Sequence, residues 1–437
     1  MQGRLAGILE EIRASFWFVP TLMTAGAVLL SAVTVSLDEL GTSEWLGSFR
    51  FIYLNQPGGA RSLLSTIAGS MMNVAGVVFS LTIVVLTLAS QQFGPRLLGN
   101  FMRDRGNQVV LGAFVSTFVY CLLILRTVKG GGDEGEPFVP HLSVTVALLI
   151  TMATLAALIY FIHHLASSIQ VQNVIGKVAH SLRRHVEPNG DRAVFPAKLG
   201  RDLPGAALPA DFEKRSRCVF APRAGYLQTV DGDGLLRTTG QHDAIARLRL
   251  RPGAFVMHGQ HILDVYPGDL PDLAIEELTG NLAFGDGRGQ SQDTEALFDQ
   301  LLELALRALS PASNDPITAT ACLDRICDAL LELSRSQFAS PFRADEAGEL
   351  RVVAPPFDLV GLAGRLFSSL RGSLASSLVA ASHVAQLMSR LQGQTEHREL
   401  AELIGRERTQ LLEAGRERLA APDYRTLLEL TSAERMP

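Results

Sequence analysis

The sequence has 437 residues, of which 47% are hydrophobic and only 19% are charged. Soluble globular proteins carry about 25% charged residues. The deficit lies in one part of the chain, since 18 of the first 165 residues are charged against 65 of the remaining 272. A single soluble domain is therefore excluded. The net charge of -5 and the absence of any basic block argue against nucleic acid as a partner.

Four long runs without charged residues account for this deficit. Each can supply the roughly 20 apolar residues that cross a hydrocarbon core about 30 Å thick. Four such helices so close together in one chain are typical of a membrane protein rather than of a soluble core. The predicted spans are residues 16–37, 67–89, 107–126 and 142–165, which form a four-helix transmembrane domain over residues 1–165.

The charges of the connecting loops predict the orientation of these spans. Arg96, Arg103 and Arg105 crowd the loop after the second span, and Lys177 follows the fourth. The other two loops are acidic or mixed, as around Asp133. Because basic loops remain in the cytoplasm, the sequence predicts that both termini and all residues beyond 166 are cytoplasmic.

The second span differs from the other three in carrying a polar stripe. Small or hydrogen-bonding residues recur in it at intervals of three, four and seven, which keeps them on one side of a helix. The stripe consists of Thr66, Gly69, Asn73, Gly76, Ser80 and Thr87. Such a stripe is typical of a seam between helices, where small residues permit close approach. The alternative interpretation is the lining of a pore, since a mid-membrane carboxamide such as Asn73 needs a partner or water.

The remainder of the chain has the composition of a soluble domain. Residues 166–192 are predicted to form a helical linker, residues 193–270 a small β-rich subdomain, and residues 271–437 a helical subdomain. The predicted fold is thus an α-helical membrane protein with four transmembrane helices and a cytoplasmic α+β domain.

No motif in the sequence points to a specific reaction. His258 and His261 in the loop HGQH lack an evident third metal ligand, and Cys322 and Cys327 lack zinc-site spacing. The glycine-rich segment 285–293 has no phosphate-loop pattern. The sequence therefore predicts no catalytic residue, no cofactor and no metal site.

Long segments of the chain resemble a known family. The segment SMMNVAGVVFSLTIVVLTLASQQFGPRLLGNFMRDRGNQVVLGAFVSTFVYCLLILRTV (Ser70–Val128) looks like the signature of a bacterial family of predicted integral membrane proteins, catalogued only as a domain of unknown function. Three later pieces are similar too: Phe138–Gln170, Arg251–Val265 and Leu297–Ile326. The resemblance implies four spans and a cytoplasmic C-terminal domain, and it brings no established activity. The expected location of such a protein is the bacterial cytoplasmic (inner) membrane.

One of these segments contains a signature loop with the sequence SPASNDP. Its distinctive residues are Ser310, Pro311, Asn314, Asp315 and Pro316. Asn and Asp between two prolines can cap the helix that follows, so a structural role is predicted for the loop in preference to a binding role.

Two classes of function fit these features. The first is an oligomeric pore or transport-associated protein with a cytoplasmic regulatory domain, whose partners are the lipid bilayer and further copies of itself. The alternative is a non-conducting membrane-anchored scaffold or sensor that binds a protein or small ligand through residues 166–437. A membrane-embedded enzyme is disfavoured because the spans contain no Asp, no Glu and no evident nucleophile pairing.

Overall fold

The structure is a computed structural model. It describes residues 17–40, 56–93, 105–130, 138–168, 170–186, 195, 199–289, 291–336 and 338–432. Arg96 and Arg103, on which the predicted orientation partly depends, lie outside the described residues. The chain divides into two compact units, residues 1–170 and residues 171–437.

Four helices make up the described part of the first unit. They are α1 (Phe18–Glu39), α2 (Pro57–Phe93), α3 (Arg105–Thr127) and α4 (His141–Ser168). All four are long and apolar enough to cross a membrane, which confirms the predicted fold class for this part of the chain. Helix α2 has 37 residues and is about 55 Å long. It begins at Pro57, whose fixed backbone angle suits the first turn of a helix.

Helix α3 lies at the centre of this unit and contacts the other three helices. Half of its apolar window is buried, against about a fifth for each of the others. Gly112 explains part of this close packing, because a Cβ added there would lie 2.7 Å from the Met23 sulfur and 3.1 Å from the Pro20 Cα. Phe114, Tyr120 and Ile124 complete the buried face of α3.

The second unit contains two β-sheets. Its strands are β1 (Arg201–Asp202), β2 (Arg217–Phe220), β3 (Gly225–Val230), β4 (Ile245–Leu248), β5 (Phe255–Val256), β6 (His261–Tyr266), β7 (Leu282–Gly285), β8 (Phe342–Ala344) and β9 (Leu350–Val353). The larger sheet has the order β1-β8-β9-β4-β6-β2, and the smaller has β5-β3-β7. Strands β4 and β9 pair in parallel, and the other pairs are antiparallel.

The sheets extend beyond the range that the sequence assigns to the β-rich subdomain. Residues 271–437, predicted to form a helical subdomain, contribute β7, β8 and β9 as well as helices. The segment LRVV of β9 is rich in β-branched residues, which favour strands. Pro355 and Pro356 follow it and prevent its continuation.

Ten helices complete the described part of the second unit. They are α5 (Val171–Val186), α6 (Phe212–Arg215), α7 (Gly232–Gln241), α8 (Asp272–Gly280), α9 (Thr294–Ala308), α10 (Pro316–Arg335), α11 (Leu359–Leu374), α12 (Leu378–Gln394), α13 (Arg398–Arg418) and α14 (Ala421–Ser432). Helix α5 buries one apolar face, with Val174, Val178 and Leu182, and contacts α9 and α10. This helix lies within residues 166–192, for which the sequence predicts a helical linker.

A cluster of charges holds the glycine-rich segment against the helices. Arg288 donates to Asp293 Oδ2 at 2.7 Å and to Asp299 Oδ2 at 2.5 Å, and Arg365 also pairs with Asp299. Burial lowers the pKa of Arg288, but hydrogen bonds and charge from the two aspartates outweigh it and raise that pKa. Asp293 also accepts from the Ala296 N–H and so caps α9. This arrangement gives the segment a structural role.

Candidate functional site

Helix α2 has two faces of opposite character. Successive residues of a helix turn by about 100°, so the polar stripe lies roughly 120–200° around the axis from Leu64. The face that packs against the rest of the unit is apolar apart from Thr82, which is half-buried and donates to the Val78 carbonyl at 2.8 Å. Its buried side chains are those of Ala60, Leu64, Ile67, Ala68, Met71, Ala75, Val78 and Ala89. The stripe residues Thr66, Gly69, Asn73, Gly76, Ser80 and Thr87 are all exposed on the opposite face.

The stripe therefore forms no seam with the other described helices of its own chain. A Cβ added to Gly69 or Gly76 would meet nothing within 4 Å. The Thr66 and Thr87 hydroxyls donate to carbonyls of their own helix, at 2.8 and 2.9 Å. Within the described residues, Asn73 has no hydrogen-bond partner. We call this surface the polar face of α2.

Other polar side chains of the first unit point inward and are paired. The Thr117 and Thr154 hydroxyls lie 2.9 Å apart between α3 and α4. The Tyr120 hydroxyl lies 3.0 Å from the Thr34 hydroxyl and donates to the Ser143 carbonyl at 3.2 Å. These contacts connect α1, α3 and α4.

A carboxylate from one helix caps the start of another in this unit. Asp38, in the last turn of α1, accepts from the Leu142 N–H at 2.9 Å, the Ser143 N–H at 3.0 Å and the Ser143 hydroxyl at 2.7 Å. The free N–H groups at a helix start favour a negative charge there. The sequence gives no sign of this capping role for Asp38, because its partners are a hundred residues away.

A second constellation of reactive side chains lies in the larger sheet of the second unit. His261 lies at the start of β6, close to Cys218 and Asp264. One potential metal-ligating atom from each of the three side chains lies within 4.8 Å of the other two. His258, the other histidine of the HGQH loop, is exposed and is not among them. Sequence analysis missed Cys218, which strand pairing brings to this place. It also missed Asp264, which is only three residues from His261 but would lie on the opposite face of a regular strand.

Asp264 is held ionised by its neighbours. It is almost completely buried, and its Oδ2 atom accepts from Arg247 Nε at 2.8 Å and from Arg249 Nε at 2.6 Å. Burial raises the pKa of Asp264, but the hydrogen bonds and charges of the two arginines prevail and lower it. Arg247 in turn makes two hydrogen bonds with Glu213, at 2.5 and 3.0 Å. The Oδ1 atom of Asp264 remains directed toward His261 and Cys218.

The sequence of these two units matches a described family over most of its length. A profile of the family "Predicted membrane protein (DUF2254)" matches residues 13–390. The chain belongs to this family. No solved structure matches the chain.

Uncharacterized proteins of mycobacteria are similar to the chain. One from Mycobacterium bovis and one from Mycobacterium tuberculosis are each 33% identical over 362 residues. The match covers 80% of this chain and 66% of each relative. The chain thus spans slightly less than two thirds of the length of these relatives.

The signature loop of the family connects α9 to α10. Asp315 is the N-cap of α10 and accepts from the Thr318 N–H at 3.0 Å. Its own N–H donates to the Ala308 carbonyl at 2.8 Å, which closes the end of α9. Asn314 has a φ of 45°, in the left-handed region that asparagine tolerates better than most residues. Pro311 is exposed, and Pro316 occupies the first turn of α10. These contacts support the predicted capping role.

Proposed function

We propose that this protein forms a homo-oligomeric pore in the bacterial cytoplasmic membrane, lined by the polar face of α2 and regulated by residues 171–437. The observation that carries the proposal is the outward direction of that face. A carboxamide exposed to hydrocarbon loses its hydrogen bonds with water, at a cost of several kcal/mol. The polar face is therefore a poor surface for lipid, and either a second copy or water is its natural neighbour.

The length of the polar face favours a lumen over a short dry contact. From Thr66 to Thr87 it extends about 32 Å at 1.5 Å per residue, which matches the hydrocarbon thickness of about 30 Å. A close-packed helix crossing needs only a few small residues near its centre. Apolar side chains such as Met72 and Val77, 56% and 58% exposed, flank the face on its two sides and suit contacts with lipid or with adjacent copies.

The chemistry of the lining predicts weak selectivity. The polar face carries hydroxyls, one carboxamide and glycines, and no charged side chain. Rings of charged side chains are one common basis of ion selectivity, so the proposed pore distinguishes permeants chiefly by size. The basic loops support the orientation with both termini in the cytoplasm.

A scaffold or sensor is the second candidate, and one observation favours it. A cleft of about 220 Å³ in the second unit is lined by charged side chains of both signs. Its charged and polar lining residues are His180, Arg183, Arg325, Asp328 and Glu332. A small zwitterionic or anionic ligand fits such a lining. In this case the polar face of α2 is a dry contact between copies and conducts nothing.

Accessibility of single cysteines separates the two candidates. We would substitute Thr66, Ser80 and Thr87 individually by Cys in the full chain carrying Cys218→Ser, because the native Cys218 is exposed. Each variant is reconstituted in liposomes and treated with a membrane-impermeant thiol reagent. Matched controls are Val78→Cys on the buried face and Leu149→Cys, which is 62% exposed on α4. Labelling of the three polar-face cysteines but of neither control is expected for a pore. Inert polar-face cysteines in a well-assembled oligomer would contradict it.

Substitution of Asn73 provides the functional measurement. In planar bilayers, Asn73→Leu is expected to lower conductance because it places an apolar ring in the lumen, and Asn73→Asp is expected to raise cation preference. Both variants should assemble as the wild type does. In a dry contact, aspartate costs about 3 kcal/mol, so misassembly of Asn73→Asp together with a wild-type chain that never conducts would refute the pore.

A further inference from the structure

Strand register brings three metal-ligating side chains together in the larger sheet. Cys218 on β2 pairs directly with Asp264 on β6, and side chains opposite each other in an antiparallel pair lie on the same face. The Cys218 Sγ–Asp264 Oδ1 distance is 3.8 Å. Cys218 is exposed, whereas Asp264 is 1% exposed. The pair therefore has one side chain at the surface and one beneath it.

A bulge adds the histidine to this pair. Residues three apart on a regular strand point to opposite faces, so His261 would ordinarily face away from Asp264. The register between β2 and β6 shifts at Val219 and Phe220, since Val219 pairs with Leu263 while Phe220 pairs with His261. The extra residue turns the end of the strand. As a result, His261 Nε2 lies 2.7 Å from Asp264 Oδ1.

We propose that Cys218, His261 and Asp264 bind one divalent transition-metal ion of the zinc class. Thiolate sulfur, imidazole nitrogen and carboxylate oxygen are all ligands of zinc. Calcium and magnesium prefer oxygen ligands alone. Three protein ligands leave the fourth position of a tetrahedral ion for water or a small ligand, on the side where Cys218 is exposed.

The surroundings of His261 support its role as a metal ligand. Its Nε2 atom is enclosed by protein, yet it forms no hydrogen bond despite its short distance to Asp264. An enclosed polar atom without a hydrogen bond is uncommon in folded proteins. The imidazole ring also packs at a tilt against the Phe220 ring, with the ring centroids 5.7 Å apart. This contact fixes the position of the imidazole. Ligand atoms around tetrahedral zinc are about 3.3–3.7 Å apart, as bond lengths of about 2.0–2.3 Å require. Binding would thus open the His261–Asp264 distance by about half an ångström.

The arginines around Asp264 orient this carboxylate. Arg247 and Arg249 both hold the Oδ2 atom, so Oδ1 is the atom left for a metal. Groups that hold a ligand in this way commonly tune metal sites. Their positive charge opposes a divalent cation, and Glu213 offsets the charge of Arg247. We therefore expect a site of moderate affinity rather than a tightly closed structural site.

The arrangement differs from a catalytic relay. In a Cys–His–Asp triad the imidazole lies between thiol and carboxylate and uses one nitrogen for each. Here the thiol donates to the same Oδ1 atom that the imidazole Nε2 approaches. Three donor atoms that converge on one point fit a bound ion. The competing interpretation is an ion-pair network in which His261 is a third cation on Asp264, and thiol ligation distinguishes the two.

Cobalt provides a direct test for thiol ligation. We would purify the full chain in detergent, treat it with a chelator and titrate it with Co²⁺. A near-ultraviolet band for thiolate-to-cobalt charge transfer and the visible bands of tetrahedral cobalt are expected at one ion per chain. Cys218→Ser and His261→Gln should each weaken binding by at least about 100-fold, more than loss of an outer-shell partner usually does. His258→Gln, in the same hairpin, should bind as the wild type does.

Protection of Cys218 gives an independent measurement with zinc. Cys218 is exposed and the other three cysteines are buried, so a water-soluble maleimide should modify Cys218 first. Zn²⁺ should slow this modification in the wild type and in His258→Gln, but not in His261→Gln. The proposal is overturned if Co²⁺ gives no charge-transfer band, if the band survives in Cys218→Ser, or if Zn²⁺ leaves the alkylation rate unchanged. Circular dichroism of each variant establishes that it is folded.

Discussion

The two units of this protein distribute polar and apolar side chains in opposite ways. In the first unit, some of the most exposed large side chains are apolar, such as Ile159 at 73%, whereas Thr117, Ser143 and Thr154 are buried. In the second unit, the apolar side chains fill a core between sheets and helices, and most ion pairs lie near the surface. Each distribution suits its solvent, lipid for the first and water for the second.

This comparison isolates the polar face of α2 as an exception. Helices in lipid gain little from burying apolar surface and associate through small residues and hydrogen bonds. The first unit follows this rule on its inside, at Thr117 and at Asp38. On the outside of α2 the same kinds of residue make no hydrogen bond to any other helix among the described residues. Polar side chains that point outward from a membrane helix need a partner other than lipid, and the polar face of α2 is therefore a candidate functional surface.

The largest expected effect on stability comes from substituting one leucine by alanine in each unit and comparing the two losses. Leu330 is fully buried in α10, and Leu149 is 62% exposed on α4. Leu330→Ala should lower the free energy of unfolding by about 2–5 kcal/mol, because it removes apolar contacts and leaves a cavity. Leu149→Ala should change stability by less than about 0.5 kcal/mol, as expected for a surface site. Thermal unfolding of the full chain in detergent, followed by circular dichroism, measures both.

A second substitution at the same two positions provides the control for this contrast. Leu330→Met and Leu149→Met keep the apolar volume, so both should cost less than about 1.5 kcal/mol. A strong loss of stability in Leu149→Ala would mean that this surface is covered, and it would contradict the assignment of that side of α4 to lipid.

The next largest effect concerns the carboxylate that caps α4. Asp38→Ala leaves two N–H groups and one hydroxyl without their acceptor, and loss of a cap of this kind costs about 2 kcal/mol. Asp38→Asn keeps one oxygen acceptor and should cost about half as much. The measurement is the shift in the unfolding midpoint in detergent. Equal stability of Asp38→Ala and the wild type would show that water replaces the carboxylate at the start of α4.

Local patterns were sufficient to predict the spans and the polar stripe. The charge-free runs predict four membrane-spanning helices, and the described residues contain four helices long and apolar enough to cross a membrane. The spacing of Thr66, Asn73, Ser80 and Thr87 puts them on one side of α2. The sequence could not predict whether that side faces the other helices or points outward, because it does not show which face of α2 packs on α3. The buried alanines and leucines of α2 are no more apolar than its lipid-facing residues.

Pairings across long distances account for what the sequence could not predict. Cys218 and Asp264 are 46 residues apart, and Asp38 is 104 residues from Leu142. Strands β8 and β9 join a sheet that begins well over a hundred residues earlier. By contrast, the capping role of Asp315 depends on residues three positions away, and it was predictable from its neighbours.

The cap of α10 provides a smaller effect with a defined pH dependence. Asp315→Ala should lower the free energy of unfolding by about 1 kcal/mol at neutral pH. Hydrogen bonds from the Thr318 hydroxyl and N–H lower the pKa of Asp315. A carboxylate with a lowered pKa stabilises the fold above its unfolded pKa of about 3.9, and this contribution disappears as the pH falls through the folded pKa.

The difference between wild type and Asp315→Ala should therefore be constant near pH 7 and shrink below about pH 4. Asp315→Asn is the matched control, because asparagine caps nearly as well without a charge. Its difference from Asp315→Ala should change little with pH. Unfolding midpoints measured from pH 3 to 7 test this, and a difference that grows in acid would contradict the proposed capping by the ionised form.

The smallest effect tests whether hydrogen bonds inside the first unit gain strength from the surrounding lipid. The Thr117 and Thr154 hydroxyls lie 2.9 Å apart, with both side chains buried. Each also lies within hydrogen-bond distance of a carbonyl of its own helix, at 2.7 and 2.8 Å. Since a hydroxyl has a single proton, one threonine donates to its own carbonyl and accepts from the other threonine. Because each hydroxyl keeps a backbone partner when the other is removed, valine at either position leaves little unsatisfied. A double-mutant cycle with Thr117→Val and Thr154→Val should give a coupling energy of about 0.6 kcal/mol.

Thr151→Val replaces Thr154→Val in the control cycle, since Thr151 is on the same helix and donates to the Ala147 carbonyl instead. That cycle should show no coupling with Thr117→Val. Reversible unfolding in mixed micelles supplies the four free energies for each cycle. A coupling above about 2 kcal/mol would mean that lipid isolates this bond more strongly than bonds in other membrane proteins. The cost of leaving the Asn73 carboxamide without a partner on the polar face of α2 would then be larger as well. That face would need a second copy of the chain, or water, all the more strongly.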